Sequence, residues 1–357
     1  MWRPSGSNRM RRVFTPGYLL YLALLLAGAA IAYRLLAPRQ PLTVADMARA
    51  DYQDSPDTIL RKIDRDGLLH DLRPHAKATH DGIDYAINAT GLRDDHDYPT
   101  EKPPGTRRVI LLGDSFVFGF GLRLEHTISH QVTSLLEPGK WDILNMGIPA
   151  YDTVDEMRLF GLRGLAYQPD VVVLMYHPND ALVTAVTELG DAVATEQALD
   201  AYYGGTAEPG ERARVEAFLA NQGQPLDPPW NTPSLNARDR SYLYHTFLPA
   251  YWSQVQAALD QLATMARDHG FTVKVGIIPE LDRPWENHPF APLYEHVHEE
   301  MARRGFEVID LYPLLQHYPN ADLMLWGYDG HTSAFANRII AHALAERLQA
   351  ERRSQAR

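Results

Sequence analysis

Val109-Ile110-Leu111-Leu112-Gly113-Asp114-Ser115-Phe116 carries the strongest structural signal in the chain. Four consecutive apolar residues without polar alternation read as a short buried strand, of the kind covered on both faces in a parallel sheet. Gly113 ends the run, and a helical stretch follows near 125–137. The same rhythm recurs downstream. Trp141-Asp142-Ile143-Leu144-Asn145 reads as a strand and 152–165 as a helix. Val171-Val172-Val173-Leu174-Met175-Tyr176 is a second continuous apolar run, the mark of a central strand. A helix over about 247–268, a strand at Phe271–Ile278, a helix over about 291–304, a strand at Phe306–Asp310 and a last helix over about 334–351 complete the series. Five strands with intervening helices predict an α/β fold: a doubly wound, flavodoxin-like, five-stranded parallel sheet.

This domain is expected to span 106–351. Residues from 182 to about 245 interrupt it with Gly204-Gly205, Pro209-Gly210 and Pro228-Pro229, and read as an insertion containing some helix. Residues 38–105 read as a tether or lead-in with little sustained periodicity, closed by Pro99, Pro103, Pro104 and Gly105. Within it, Asn88–Asp94 has the look of a turn-containing piece that docks onto the domain after it, and Asn88-Ala89-Thr90 is a weak glycosylation triplet.

The first 37 residues predict a cytoplasmic tail and one N-terminal transmembrane helix. Arg3, Arg9, Arg11 and Arg12 precede an uncharged, largely apolar run from Val13 to Tyr33. Such a run approaches the roughly 20 residues that cross a bilayer as a helix. Arginines before it favour a cytoplasmic N-terminus and put the remaining chain on the extracytoplasmic, periplasmic side, with Arg34 and Arg39 weakening the asymmetry. The competing reading is a cleavable signal peptide ending at Ala27-Gly28-Ala29. The apolar run continues past that site through Ile31 and Tyr33, which favours an uncleaved anchor.

Charge and composition exclude several classes. The chain carries 34 Lys+Arg against 45 Asp+Glu, a net charge of -11, which would repel a nucleic acid. It has no cysteine, and so no disulfide, thiolate nucleophile or Cys-bound zinc. No Gly-x-x-x-x-Gly-Lys-Ser/Thr run is present, and Gly119 and Gly121 lack the third glycine of a dinucleotide loop. His126 and His130 are four apart on a predicted helix but do not form a His-Glu-x-x-His pattern, as expected of a solvated face. No cofactor or metal is implied.

In open parallel sheets ligands bind beyond the carboxyl ends of the strands. Gly113-Asp114-Ser115-Phe116, Asn145-Met146-Gly147 and His177-Pro178-Asn179-Asp180 lie at those ends, and Asp329-Gly330-His331 precedes the last helix. The set suffices for acyl transfer. A serine becomes a nucleophile when a neighbouring imidazole takes its proton, and an acid holds that imidazole in the right tautomer. Developing negative charge needs fixed donors, for which the Ser115 and Gly147 N–H groups and the Asn179 amide are candidates.

These four blocks resemble the signature of the SGNH (GDSL-type) hydrolase superfamily, in the correct order and over roughly 106–350. The resemblance implies Ser115 as nucleophile, His331 as base and Asp329 as its acid. It implies an oxyanion hole of Ser115 N–H, Gly147 N–H and Asn179. The first block reads Gly-Asp-Ser-Phe rather than Gly-Asp-Ser-Leu, and His177 stands where the family more often has glycine. The acid lies two residues before the histidine rather than three, a spacing that resembles membrane-associated bacterial relatives acting on polysaccharides. The expected activity is that of a serine esterase or O-acyltransferase on an acylated carbohydrate or other small ester. A lapsed, glycan-binding module is the rival, and the complete site argues against it.

Overall fold

Two antiparallel hairpins open the described part of the chain: β1 (Leu60–Arg65) with β2 (Leu68–Leu72), and β3 (Lys77–His80) with β4 (Ile83–Ala86). The computed structural model describes residues 59–65, 68–80, 82–181, 242, 246–247, 249–327 and 329–355. The main sheet follows, with β5 (Arg107–Gly113), β6 (Trp141–Gly147), β7 (Val171–Tyr176), β8 (Thr272–Ile277) and β9 (Glu307–Asp310). All five strands are parallel, in the order β6-β5-β7-β8-β9, so both neighbours of β5 come later in the chain. This is the doubly wound arrangement expected from the sequence.

Helices on both faces explain why β5 and β7 lack polar alternation. Ile110 and Leu112 point to one side, where they meet α3 (Thr153–Leu162), α4 (Pro249–His269) and α5 (Ala291–Arg303) through Phe160, Leu259 and Val297. Val109 and Leu111 point to the other, against α2 (Ile128–Leu135) and α8 (Ala334–Gln355) through Val132, Ile340 and Leu344. Successive side chains of a strand face opposite ways, so a strand with two covered faces must be apolar throughout. The single-turn α1 (Ser115–Phe118) joins β5 to this framework. Short α6 (Tyr312–Leu315) and α7 (Asn320–Leu323) precede the small antiparallel pair β10 (Met324–Leu325) and β11 (Asp329–Thr332).

The segment expected to be a tether is different. In its described part it is packed: Leu68, Leu72, Tyr85 and Ile87 are buried with Phe118, Phe120, Ile148 and Tyr151. β3 is exposed or half-exposed along its length, which is why no apolar alternation betrayed the hairpin. The docking expected of Asn88–Asp94 is present. Asn88 Oδ1 accepts from the N–H groups of Thr90 and Leu92, and its Nδ2 donates to the His96 carbonyl. That buried amide is engaged at both its oxygen and its nitrogen by the loop, so the Asn88-Ala89-Thr90 triplet serves local structure.

The loop delivers Arg93, a wholly buried side chain. Its guanidinium donates to the carbonyls of Phe118 (2.7 Å), Gly119 and Leu122, at the end of α1 and just beyond it. It also lies over the rings of Tyr85 and Phe118, at 4.4 and 4.8 Å. Burial pulls its pKa down to about 10, still high enough to keep it charged near neutrality.

Among the described residues no helix is long and apolar enough to cross a membrane. The Val13–Tyr33 run and nearly all of the 182–245 insertion lie outside them.

Arg93→Met should destabilise the protein by roughly 3 kcal/mol or more, because three buried carbonyls lose their donors. Urea unfolding of the variant beside the wild type measures this, and an unchanged midpoint would show that the clamp contributes nothing.

Candidate active site

Ser115 stands where β5 gives way to α1. Asp114 caps that turn, its Oδ1 accepting from the Phe116 N–H at 2.9 Å. A helix of one turn has little macrodipole, so what it offers an anion is its unsatisfied first N–H groups. The Ser115 N–H has no hydrogen-bond partner among the described residues.

Asp329 and His331 come from β11. They are two apart on a strand and therefore face the same side. Ser115 Oγ lies 2.8 Å from His331 Nε2, and His331 Nδ1 lies 2.6 Å from Asp329 Oδ1. The same carboxylate oxygen accepts the His331 backbone N–H at 2.9 Å. A carboxylate only accepts, so Nδ1 carries the hydrogen and Nε2 is left to take the serine proton. Ser115 Oγ also approaches Asp114 Oδ2, but at 3.4 Å the hydroxyl proton belongs to the shorter contact with the histidine.

All three side chains are nearly or fully buried, and aromatic rings pack around the imidazole. Phe116 and Phe120 each have their ring centroid 4.9 Å from that of His331. Trp326 meets Phe120 edge-on at 6.4 Å and is 43% exposed, at the turn of the hairpin that carries the acid and the histidine.

The expected oxyanion donors fare unequally. Asn179 Nδ2 donates to Asp114 Oδ2 at 2.7 Å, and an amide nitrogen has a second hydrogen to give. The Gly147 N–H, in contrast, is already engaged, donating to Asn145 Oδ1 at 3.0 Å. What glycine provides at 147 is space. A Cβ there would sit 2.2 Å from the Phe118 nitrogen, so the α1 backbone packs directly on β6. Asn145 locks this contact, donating to the Val117 carbonyl at 2.8 Å.

Sequence reasoning passed over Ala150. Its φ of 64° is rare for a residue with a side chain, and its N–H has no partner among the described residues. Ile148, two residues before it, donates to the Gly113 carbonyl and accepts from the Tyr151 N–H. The turn therefore stands beside the serine. Pro149 before a residue of positive φ is the pattern of a type II turn, and the usual glycine there would have flagged it.

Behind the site lie Asp114, Asp152, Asp155, Glu156 and Asp180, all buried. Burial, reinforced by Asp155, raises the Asp152 carboxyl to about 8, against the N–H groups it caps. Burial also raises Asp155 to about 6, and pushes Glu156 and Asp180 well above the ordinary carboxylate range. Neither Glu156 oxygen has a hydrogen-bond partner among the described residues.

His126 ends a short turn, Leu124–His126, that precedes α2, whereas His130 lies within α2 with Nε2 3.4 Å from Asp94 Oδ1. Asp94, Asp95 and His130 bring metal-capable atoms within 4.8 Å of one another. The Asp94 oxygens already accept from the His96 N–H and the Tyr98 hydroxyl, so a cation would have to compete with those donors.

A buried Ser-His-Asp constellation at the carboxyl end of a doubly wound parallel sheet defines a hydrolase of acyl derivatives. The chain belongs to the GDSL-like lipase/acylhydrolase family, whose model matches residues 111–339, and it is accordingly an ester-hydrolysing enzyme. Among solved structures it is similar to a lipase/acylhydrolase from Enterococcus faecalis, at 17% identity over 69% of this chain and 97% of that one, with a TM-score of 0.40. It is also similar to the acetylxylan esterase Axe2 from Geobacillus stearothermophilus, at 14% identity over 68% and 94% of the two chains, with a TM-score of 0.41. No curated protein matches the sequence.

The raised carboxyls set a pH dependence of stability. The folded state holds protons that the unfolded chain has lost above its ordinary carboxylate pKa of about 4, so stability falls as pH rises from there toward about 8. Thermal unfolding should accordingly occur at a higher temperature near pH 5.5 than near pH 8.5, a span of roughly three units that covers the raised Asp155 and Asp152 carboxyls at about 6 and about 8. Glu156→Gln, which cannot ionise, should flatten part of the difference. An equal or steeper slope in the variant would count against a protonated Glu156.

Proposed function

We propose that the enzyme cleaves esters through an acyl-serine intermediate, with Ser115 as nucleophile, His331 as general base and acid, and Asp329 as the acid that orients it. The 2.8 Å contact between Ser115 Oγ and His331 Nε2 carries this reading. Ser115 Oγ attacks the ester carbonyl carbon as its proton passes to Nε2. The tetrahedral intermediate collapses, the C–O bond to the leaving alcohol breaks, and His331 returns the proton to that alcohol. Water then attacks the acyl-serine, again giving a proton to Nε2. Collapse releases the acid and restores the Ser115 hydroxyl. The negative oxygen formed in each half is held by the Ser115 N–H and the second Asn179 amide hydrogen, with the Ala150 N–H replacing the one Gly147 has given to Asn145.

The substrate we propose is an acyl ester on a glycan of the cell envelope. The exposed Trp326 supports it: an indole 43% exposed and one ring removed from His331 offers an apolar surface for a sugar ring. The arginine-flanked apolar run Val13–Tyr33 supports an anchored enzyme with its domain on the extracytoplasmic side.

Turnover of p-nitrophenyl acetate should fall by about 10⁴-fold or more in Ser115→Ala with the fold intact by circular dichroism. Brief mixing of the wild type with that ester should leave one acetyl group on the Ser115 peptide, detectable by mass spectrometry. Equal rates in wild type and variant would remove Ser115 from the mechanism. Trp326→Ala should raise KM for an O-acetylated oligosaccharide while leaving KM for p-nitrophenyl acetate unchanged. Parallel changes on both esters would speak against a sugar platform.

A further inference from the structure

Phe116 and His177, the two residues that differ in type from the common family pattern of the first and third blocks, touch each other. Their rings stack with centroids 4.2 Å apart at 27°. His177 is buried and stands two residues before Asn179.

Hydrogen accounting defines what this histidine does. Asp114 Oδ2 draws the NH2 end of the Asn179 amide, at 2.7 Å, so the Oδ1 end is turned toward His177 Nδ1, also at 2.7 Å. An amide oxygen only accepts, and Nδ1 must therefore carry a hydrogen. The Asn179 backbone N–H also faces Nδ1, but 3.5 Å is the limit of a hydrogen bond and the shorter contact prevails. The other ring nitrogen, Nε2, faces Glu280 Oε1 at 3.7 Å. Glu280 is itself buried and fixed by its backbone: its N–H donates to the Tyr294 hydroxyl at 2.7 Å, and its carbonyl accepts from His288 Nε2 at 3.0 Å. At 3.7 Å this is an electrostatic neighbour rather than a hydrogen bond, and Nδ1 keeps its hydrogen whatever the charge of the ring.

We propose that His177, braced by Glu280 and Phe116, is a positioning residue that aims the Asn179 amide at the oxyanion. The inference rests on the acyl-serine reading. With Oδ1 held by His177 and one amide hydrogen held by Asp114, the second hydrogen has a single direction left to it. A glycine at 177 has no side chain with which to do this.

The test is a double-mutant cycle on p-nitrophenyl acetate, read as kcat and KM separately. His177→Phe keeps a ring against Phe116 and removes the donor, while His177→Asn puts an amide N–H near the place of Nδ1. Asn179→Ala should lower kcat by about 10²–10³-fold, the usual effect of losing an oxyanion donor. His177→Phe should lower kcat by about 10-fold with KM little changed, a coupling of the size found between residues in contact. His177→Asn should recover most of that loss. In the Asn179→Ala background, His177→Phe should cost nothing further. The same fall in both backgrounds would overturn the proposal, as would an unchanged kcat in His177→Phe. Should that variant not fold, Glu280→Ala replaces it, with a fall in kcat expected only where Asn179 is present and its absence counting against the idea. An Asn179→Ala enzyme with full kcat would defeat the underlying oxyanion assignment, an outcome distinct from failure at His177 alone.

Discussion

Parallel, in-phase ends of the strands are the constraint on which the site depends. Leu112 pairs with Leu174 on one side of β5, and Gly113 pairs with Gly147 on the other. Because all the strands run the same way, the residues just past these pairs emerge on one rim. Ser115, Ala150 and Asn179 are all such residues. Only His331 and Asp329 must be brought from elsewhere, and the β10–β11 hairpin does so across 216 residues of sequence. Shifting β6 by one residue would bring a side chain where Gly147 lies, with Phe118 backbone in its way.

The rim carries its own electrostatic cost. Five buried carboxyls cluster behind one serine, and desolvation drives several of them toward the neutral form. Part of the cost is offset by backbone donors: Asp114 and Asp152 cap α1 and α3, and Asp180 accepts the His177 N–H at 2.8 Å. Glu156 has no such return among the described residues. Groups that lower stability in this way concentrate at functional sites, where placement matters more than local stability.

Residue type and order made the Ser-His-Asp constellation legible. Serine, histidine and acid announce themselves wherever a strand ends, and the apolar runs of β5 and β7 identify those ends. What stayed hidden depends on pairs distant in sequence or on backbone shape. Arg93 reads as one more surface charge until Asn88 folds the loop that inserts it beneath Gly119 and Leu122. Ala150 has a side chain where positive φ normally selects glycine, so composition gave no mark of the turn. Gly147 stands out in the sequence as an N–H donor, yet the structure uses it for its lack of a Cβ.

The two departures from the signature show how such substitutions should be weighed. Taken singly, phenylalanine after the serine is a mild apolar exchange, and histidine before Pro-Asn is an obstruction in a tight loop. Taken together they form one stacked pair, and Phe116 spans the gap between His177 and His331 with centroids 4.2 and 4.9 Å from the two imidazoles. A large side chain at 177 is tolerated in so dense an interior only if its surroundings accommodate its shape and both ring nitrogens find polar neighbours. Phe116 meets the first condition, Asn179 and Glu280 the second. Changing His177 alone to glycine would therefore leave a void beside Phe116 and a buried Glu280 without its imidazole. The residue commoner in the signature would be the more disruptive one here, because fitness of a side chain is a property of its contacts and not of its position in a motif.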